Sequence, residues 1–425
     1  MQQSNTPNLS DAQPHTLTNA RLADGRLVDI SVIDGVISGI QPHDTATDGG
    51  GGSRLDLQGW LTLPAMAEPH AHLDKALTAD VVPNPTGDLM GAIEAWIAAS
   101  ANGVFTHEST VARTTQALEK LLVNGVTAVR THVNCTSDIG AANVRAVKEA
   151  AQAFAGLMTI EIAALPSAPL VGPEGAGARR ALAETLEEGV DLVGGCPHLD
   201  PDGPGLIKFV LDVATEAGLP VDLHTDETLD PSILTLRSLA RQVQETGFAH
   251  SVTASHCVSL GMQPLAVQEA VAAEVAAANI SVVPLPQTNL FLQGRDHPTA
   301  TPRGLTALAP LLNAGVVVAA GADNVQDPFN LVGRSDPLET AAFLVMAGHR
   351  LPDEAYGLVS NGPRQAMGLS HSVGIGVEVG TVADLVAIDA TSTRSAIADA
   401  PRSRRVFHRG RLVASCDETT AVHRV

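Results

Sequence analysis

The sequence predicts an α/β protein: a (β/α)₈ barrel of the TIM type with a small β-sandwich-like domain formed by both chain ends. Three observations lead there. First, residues 63–370 alternate short apolar runs (VTAVRTHV, TIEIAALP, DLVGGCP, PVDLHTDE, SVTASH, ISVVPLP, VVVAAGADN) with Ala- and Leu-rich stretches of helical period. Strand–helix alternation over ~300 residues argues for a parallel sheet. Second, with PAMAEPHAH as the first run, the count reaches about eight strands, which favours a closed barrel. No GxGxxG follows a strand, so an open dinucleotide-binding sheet lacks its fingerprint. Third, both ends of the chain carry β-type patterning.

The elements follow in order. Residues 1–15 are polar and read as a loosely attached segment. LVDISVIDGVISGIQP alternates and holds Asp34-Gly35, a hairpin signal. LDLQGWLTLPA is a further strand-pair candidate, and the glycine run 49–52 reads as a flexible loop. The helical stretches between the barrel runs include ESTVARTTQALEKLLVNG, AANVRAVKEAAQAFAG, GARRALAETLEEG and GPGLIKFVLDVATEAG. Beyond them, VGIGVEVGTVADLVAID and RSRRVFHRGRLVASC return to strand character. The predicted domains are therefore 1–62 plus 371–425, a small β domain, and 63–370, the barrel.

Composition narrows the function. The 425 residues are 44% hydrophobic and 17% charged, a globular balance, and aromatics are only 3%, so Ala, Val, Leu and Ile must fill the core. A net charge of −20 makes nucleic-acid polymers and anionic membranes poor partners. Cys135, Cys196, Cys257 and Cys416 form no CxxC pair, which argues against a disulfide framework or a thiolate zinc site. The N-terminus lacks the apolar stretch of a signal peptide, and no run is long enough to span a membrane. The expected location is cytoplasmic and the expected partner a small molecule; a homo-oligomer is left open.

Chemistry concentrates at the C-terminal ends of the strands, where barrels of this type build their sites. The first strand ends in Glu68-Pro69-His70-Ala71-His72. A His-x-His pair on a strand puts both imidazoles on one face, a chelate for Zn²⁺ or Fe²⁺. Alone, the pair reads equally well as two alternating structural histidines. Three later strands also finish in ligand-type or acid/base residues: His224 followed by Asp226 and Glu227, then His256, then Asp323. The set together points to a metal site with three imidazoles and one carboxylate, leaving a position open for water. Asp323 suits the role of proton acceptor, His256 that of orienting the attacking oxygen, and Glu227 that of moving a proton to substrate and leaving group. Glu227 also reads as an ordinary helix N-terminal charge.

EPHAHLDK, VRTHV, VDLHTDE, TASH, NLFLQGR and GADNVQDPF together resemble the amidohydrolase superfamily. Within it they are similar to the cytosine deaminase and N-isopropylammelide isopropylamidohydrolase group, over almost the whole chain. The resemblance implies that His70, His72, His224 and Asp323 hold one divalent metal ion, Zn or Fe. It makes Glu227 and His256 the proton-handling pair. Binuclear relatives carry a lysine on the middle strand; GVDLVGGCPHLD has none, and Lys208 falls in a helical stretch, so a single ion is implied.

The chain departs from the cytosine deaminase pattern at several positions. Ser167 stands where a glutamine amide reads the pyrimidine, and a hydroxyl cannot offer the same paired donor and acceptor. Asn324 replaces a second aspartate, Lys75 a small residue, and Phe329 a tryptophan. Lys75 and Asn324 look more like the isopropylammelide enzymes, and they favour an electron-rich or anionic ring. Gln293 and Arg295 either line the pocket or brace the rim; Gln293 joins Lys75, Ser167, Asn324 and Phe329 in the expected substrate-binding set. His132 either supports a ligand or is structural, His198 has no assigned role, and Cys257 reads as packed rather than reactive.

The implied function is hydrolysis of an exocyclic C–N bond, a deamination, on a small nitrogen heterocycle. The alternatives are dealkylamination of an s-triazine and opening of a cyclic amide, the latter disfavoured by the absent lysine. The non-enzyme alternative is a metal-free scaffold, which every expected ligand being present argues against.

Overall fold

A computed structural model describes residues 16–44, 53–369 and 376–423. The polar segment 1–15, the glycine run 49–52 and the start of the VGIGVEVG stretch at 373–375 lie outside the described residues. The chain forms two compact units, 1–65 with 375–425, and 66–374.

The first unit is built on one eight-stranded sheet, seven strands in the order Arg411–Cys416, Arg404–His408, Leu385–Ile388, Leu61–Pro64, Thr16–Arg21, Leu27–Ile33, Val36–Pro42, with Arg54–Asp56 paired to Thr16–Arg21 off this path. The two chain ends meet where Leu385–Ile388 pairs antiparallel with Leu61–Pro64. Asp34 and Gly35 turn the hairpin between Leu27–Ile33 and Val36–Pro42, both at positive φ (50° and 78°), as the tight turn that fits strand twist requires. LDLQGWLTLPA forms two strands, Arg54–Asp56 and Leu61–Pro64, but they do not pair with each other. Both run parallel to Thr16–Arg21. Leu17, Ile30, Ile37, Leu385 and Phe407 pack its core.

The second unit is the barrel. Seven parallel strands follow one another in chain order: Met66–Ala71, Val126–Cys135, Thr159–Pro166, Leu192–Gly195, Val221–Thr225, Val252–His256 and Ile280–Val283. The eighth position is taken by 316–323, which is not a regular strand yet bridges both neighbours, Val318 to Val282 and Asp323 to Ala71. The Asp323 amide donates to the His70 carbonyl at 3.1 Å, so the ring closes beside the first strand. Its irregularity has a local cause. A Cβ at Gly321 would collide with the Glu68 carboxylate, and Asp323 sits at φ 68°. Strands buried on both faces explain the nearly continuous apolar runs.

Helices cover the strands, two of them (Leu89–Ala101 and His107–Val123) between the first and second. Among the described residues no helix is long and apolar enough to cross a membrane. The aliphatic packing expected of the core lies mainly between strands and helices. The barrel interior also holds a polar layer. Arg130, fully buried, donates to Glu161 (2.9 Å), Asp222 (2.8 Å) and the Thr253 hydroxyl (3.1 Å). The two carboxylates compensate the guanidinium's charge at that depth, where an unpaired one costs several kcal/mol.

Candidate functional site

His70, His72, His224, His256 and Asp323 converge at the C-terminal mouth of the barrel, all at most 5% exposed. His70 and His72 lie two residues apart at the end of the first strand and so share a face. His224 comes from the fifth strand and His256 from the sixth. On the sixth strand Thr253 and Ser255 already face the interior, where they meet Arg130 and Asp222. Strict alternation would turn His256 away. Its left-handed backbone, φ 67°, swings the imidazole to the same mouth. Asp323 uses the same device. Such conformations cost on the order of 1–3 kcal/mol each and persist where surrounding structure enforces them.

The distances are those of one coordination shell. His224 Nε2 lies 3.2 Å from His70 Nε2 and 3.1 Å from His72 Nε2. Asp323 Oδ1 lies 3.2 Å from His72 Nε2 and 3.8 Å from His70 Nε2. Ligand atoms about 2.1 Å from a common tetrahedral ion stand about 3.4 Å apart. His72 Nδ1 donates to the His132 carbonyl at 3.2 Å, which leaves its Nε2 a lone pair. Both Asp323 oxygens and His256 Nε2 are buried without a hydrogen-bond partner. Each such atom costs about 1–3 kcal/mol unless something compensates it, and a cation does. The donor set therefore fits a divalent metal ion.

The electrostatics agree. Burial, reinforced by neighbouring positive charge, holds His70, His72 and His224 well below the ordinary imidazole value, so they remain neutral electron-pair donors. Burial and the nearby His198 take His256 down to about 3. Burial, with repulsion from Glu227 and Asp327, pushes Asp323 well above the carboxylate range. Burial also raises Glu227 to about 8, partly offset by Lys75. Glu227 Oε1 stands 3.6 Å from His256 Nδ1.

A cavity of about 310 Å³ opens onto this cluster. Lys75, Ser167, Asn324 and Phe329 all line it, as do His72, Glu227, His256 and Asp323. Gln293 does not. It faces a neighbouring cavity of about 450 Å³ and donates to the Glu227 carbonyl at 3.1 Å. Arg295 lines that second cavity too, its guanidinium over the Phe291 ring. The NLFLQGR stretch begins as helix, Pro286–Leu292, and becomes loop only at Gln293.

Lys75 is gripped rather than free. Its Nζ donates to Asn134 Oδ1 at 2.6 Å and lies 5.7 and 5.3 Å from the centres of the Trp96 and Phe329 rings. Asn324 lines the cavity with its amide already donating to Asp327 at 2.7 Å.

Several residues here escape pattern reading. Trp96 and Asp327 carry no strand-end signature, and Asn134, though at the end of its strand, is neither an acid, a base nor a common metal ligand. Asp222 and Ser255 sit inside apolar runs. His132 lies within its strand, its ring 4.0 Å from that of His70 and 3.6 Å from Asp222. The one available signal is period two, which puts Arg130 with His132 and Asp222 with His224 on common faces. His198 Nδ1 donates to the His224 carbonyl at 3.0 Å. Cys257 is buried, its thiol pushed well above the ordinary value by burial and the nearby Asp226 and Asp222.

Comparison with known proteins meets this geometry. The Amidohydrolase family model matches residues 104–414. The chain is 32% identical over 391 residues to a pterin deaminase of Rhizobium rhizogenes, covering 91% of this chain and 87% of that one. It is 26% identical over 381 residues to an N-isopropylammelide isopropyl amidohydrolase of Pseudomonas sp., covering 84% and 87%. A crystal structure of 5-methylcytosine deaminase from Klebsiella pneumoniae, liganded with phosphonocytosine, superposes with a TM-score of 0.86 at 28% identity, covering 96% and 100%. The chain belongs to the amidohydrolase family and is a hydrolase acting on carbon–nitrogen bonds.

Proposed function

We propose that this enzyme deaminates a small oxo-substituted nitrogen heterocycle, hydrolysing an exocyclic C–N bond with the help of one divalent metal ion, Zn or Fe. The observation that carries the reading is the convergence of His70, His72, His224 and Asp323 within one coordination shell on the floor of a closed-in cavity, with Glu227 and His256 beside them. Those four hold the ion, and when bound it supplies Lewis acidity and a water of lowered pKa.

The chain's own groups do the rest. Asp323 accepts a proton through the oxygen turned away from the shell. His256, neutral, directs Nε2 at the reacting centre and stabilises charge developing there. Glu227, whose carboxyl burial raises to about 8, delivers its proton to the ring nitrogen; the carboxylate so formed takes the hydroxyl proton of the adduct and passes it to the departing amine, and the proton held by Asp323 restores it. Lys75, set by Asn134 and two aromatic faces, offers a hydrogen bond to a ring oxygen, which favours an oxo ring. The flat, apolar Trp96 and Phe329 walls suit a planar heterocycle.

Deamination is preferred to dealkylamination because the pterin and 5-methylcytosine relatives are named deaminases. The isopropylammelide relative keeps the second reaction as an arm of the test. Purified enzyme is assayed for ammonia and for alkylamine over pterin, cytosine, 5-methylcytosine, N-isopropylammelide, purines and creatinine-like rings. Ammonia from an amino-oxo ring is the expected result. Alkylamine release alone moves the assignment to dealkylamination, and ring opening without either product overturns it.

A further inference from the structure

A ligand imidazole presents Nε2, not an N–H, to the shared centre, so its proton sits on Nδ1, where a partner can hold it. For His72 the His132 backbone carbonyl does this. His70 has no carbonyl in that place. Its Nδ1 lies 2.9 Å from the hydroxyl of Ser255, on the sixth strand across the closed barrel. The Ser255 hydroxyl in turn donates to Asp222 Oδ1 at 3.0 Å. Arg130 Nη1 donates to the other oxygen, Asp222 Oδ2, at 2.8 Å. Arg130, Asp222, Ser255 and His70 are all at most 2% exposed, so water does not enter the chain.

The direction of these bonds is fixed by chemistry. Arg130 has only donors. Asp222, facing a guanidinium, is a carboxylate and can only accept. Ser255 has one hydrogen, and the carboxylate claims it. The Ser255 oxygen is then left as an acceptor, and the only arrangement that fits is His70 donating from Nδ1. The opposite tautomer would set the Nδ1 lone pair against the serine's lone pairs.

We propose that Ser255 and Asp222 are positioning residues: with Arg130 they lock the tautomer and orientation of His70 so that Nε2 is permanently offered to the metal. The chain is cooperative, since a hydroxyl that donates to a carboxylate is a stronger acceptor in turn. It also makes His70 the one member of the His70–His72 pair whose support comes from side chains, and therefore the one that substitution can remove. His132, whose ring packs on His70 and faces Asp222, flanks the chain without interrupting it.

The inference rests on the proposed metal site, and the test separates the two. Zn²⁺ affinity of the full-length enzyme is measured by chelator competition for the parent, Ser255→Ala and Ser255→Thr, with thermal midpoints of the metal-free forms alongside. Loss of an outer partner typically weakens metal binding about 10- to 100-fold. Ser255→Ala is expected to fall in that range while its metal-free midpoint stays within a few degrees of the parent, and Ser255→Thr, which restores the hydroxyl, to bind within about threefold of the parent. Should Ser255→Ala not fold, Ser255→Thr against Ser255→Val, one shape with and without the hydroxyl, carries the same thresholds. Parent-like affinity in the hydroxyl-free variants, or no recovery with threonine, overturns the proposal. A parent protein that binds no Zn²⁺ or Fe²⁺ overturns the metal reading itself.

Discussion

Glu227 shows how much a side chain's setting changes its meaning. In the sequence it is a carboxylate three residues past His224, readable also as a helix-start charge. In the fold it is 7% exposed, faces Lys75 and His256, and burial raises its carboxyl to about 8. Glu227→Gln preserves shape and hydrogen bonding but cannot transfer a proton. Steady-state kinetics on the substrate found by the release screen should show kcat reduced about 10²- to 10⁴-fold with KM moved less than tenfold. A loss confined to KM would make Glu227 a binding group only. Lys75 is a second case. Its departure from the cytosine deaminase pattern is legible, but its partner Asn134 is not, because Asn134 lies 59 residues away on the next strand and only register brings them together.

At the scale of elements, alternation makes the His70–His72 chelate readable and also hides half the site. Period two assigns faces within one strand but says nothing about which strand lies opposite. Ser255 becomes a partner of His70 only because the barrel closes. His256 faces the mouth only because its backbone leaves the β region. The helix Leu89–Ala101 is another concealed element. LMGAIEAWIAASA reads as an ordinary covering helix, yet Ile93 and Trp96 form a wall of the cavity. Asp88 caps this helix, accepting from the Gly91 amide at 2.8 Å and from Thr86. Asp88→Ala should cost about 1 kcal/mol. That predicts a melting midpoint about 2 °C lower, with KM raised severalfold and kcat within twofold, since the wall loosens while the floor stays intact. An unchanged KM would show that the wall does not depend on its cap.

For the whole molecule, the barrel brings together electron-pair donors that repel one another and buries them without partners. A bound ion offsets that cost, and because it binds the folded chain it adds stability by mass action. At free metal a thousandfold above Kd the gain is about 4 kcal/mol. Calorimetry on enzyme stripped by chelation should show a midpoint lowered by about 8 °C and restored on adding Zn²⁺ or Fe²⁺. No shift after verified stripping would argue against the ion as a structural partner of the cluster.

The amino-acid sequence by itself determined the alternation of strands and helices, the hairpin at Asp34-Gly35 and the set of strand-end residues proposed to hold a metal ion. These are local properties: side-chain period, turn chemistry and residue type act over a few neighbours. Tertiary structure alone decided the rest. It closed the ring through the irregular segment 316–323, gave Lys75 its partner and turned Gln293 to a second cavity. It also joined Arg130, Asp222 and Ser255 into a chain beneath His70. Each of those contacts links residues from separate strands or loops. What such a residue meets depends on register and ring closure, which no short window of sequence contains. The His70–His72 pair is thus legible in the sequence, while the support that orients His70 exists only in the closed barrel.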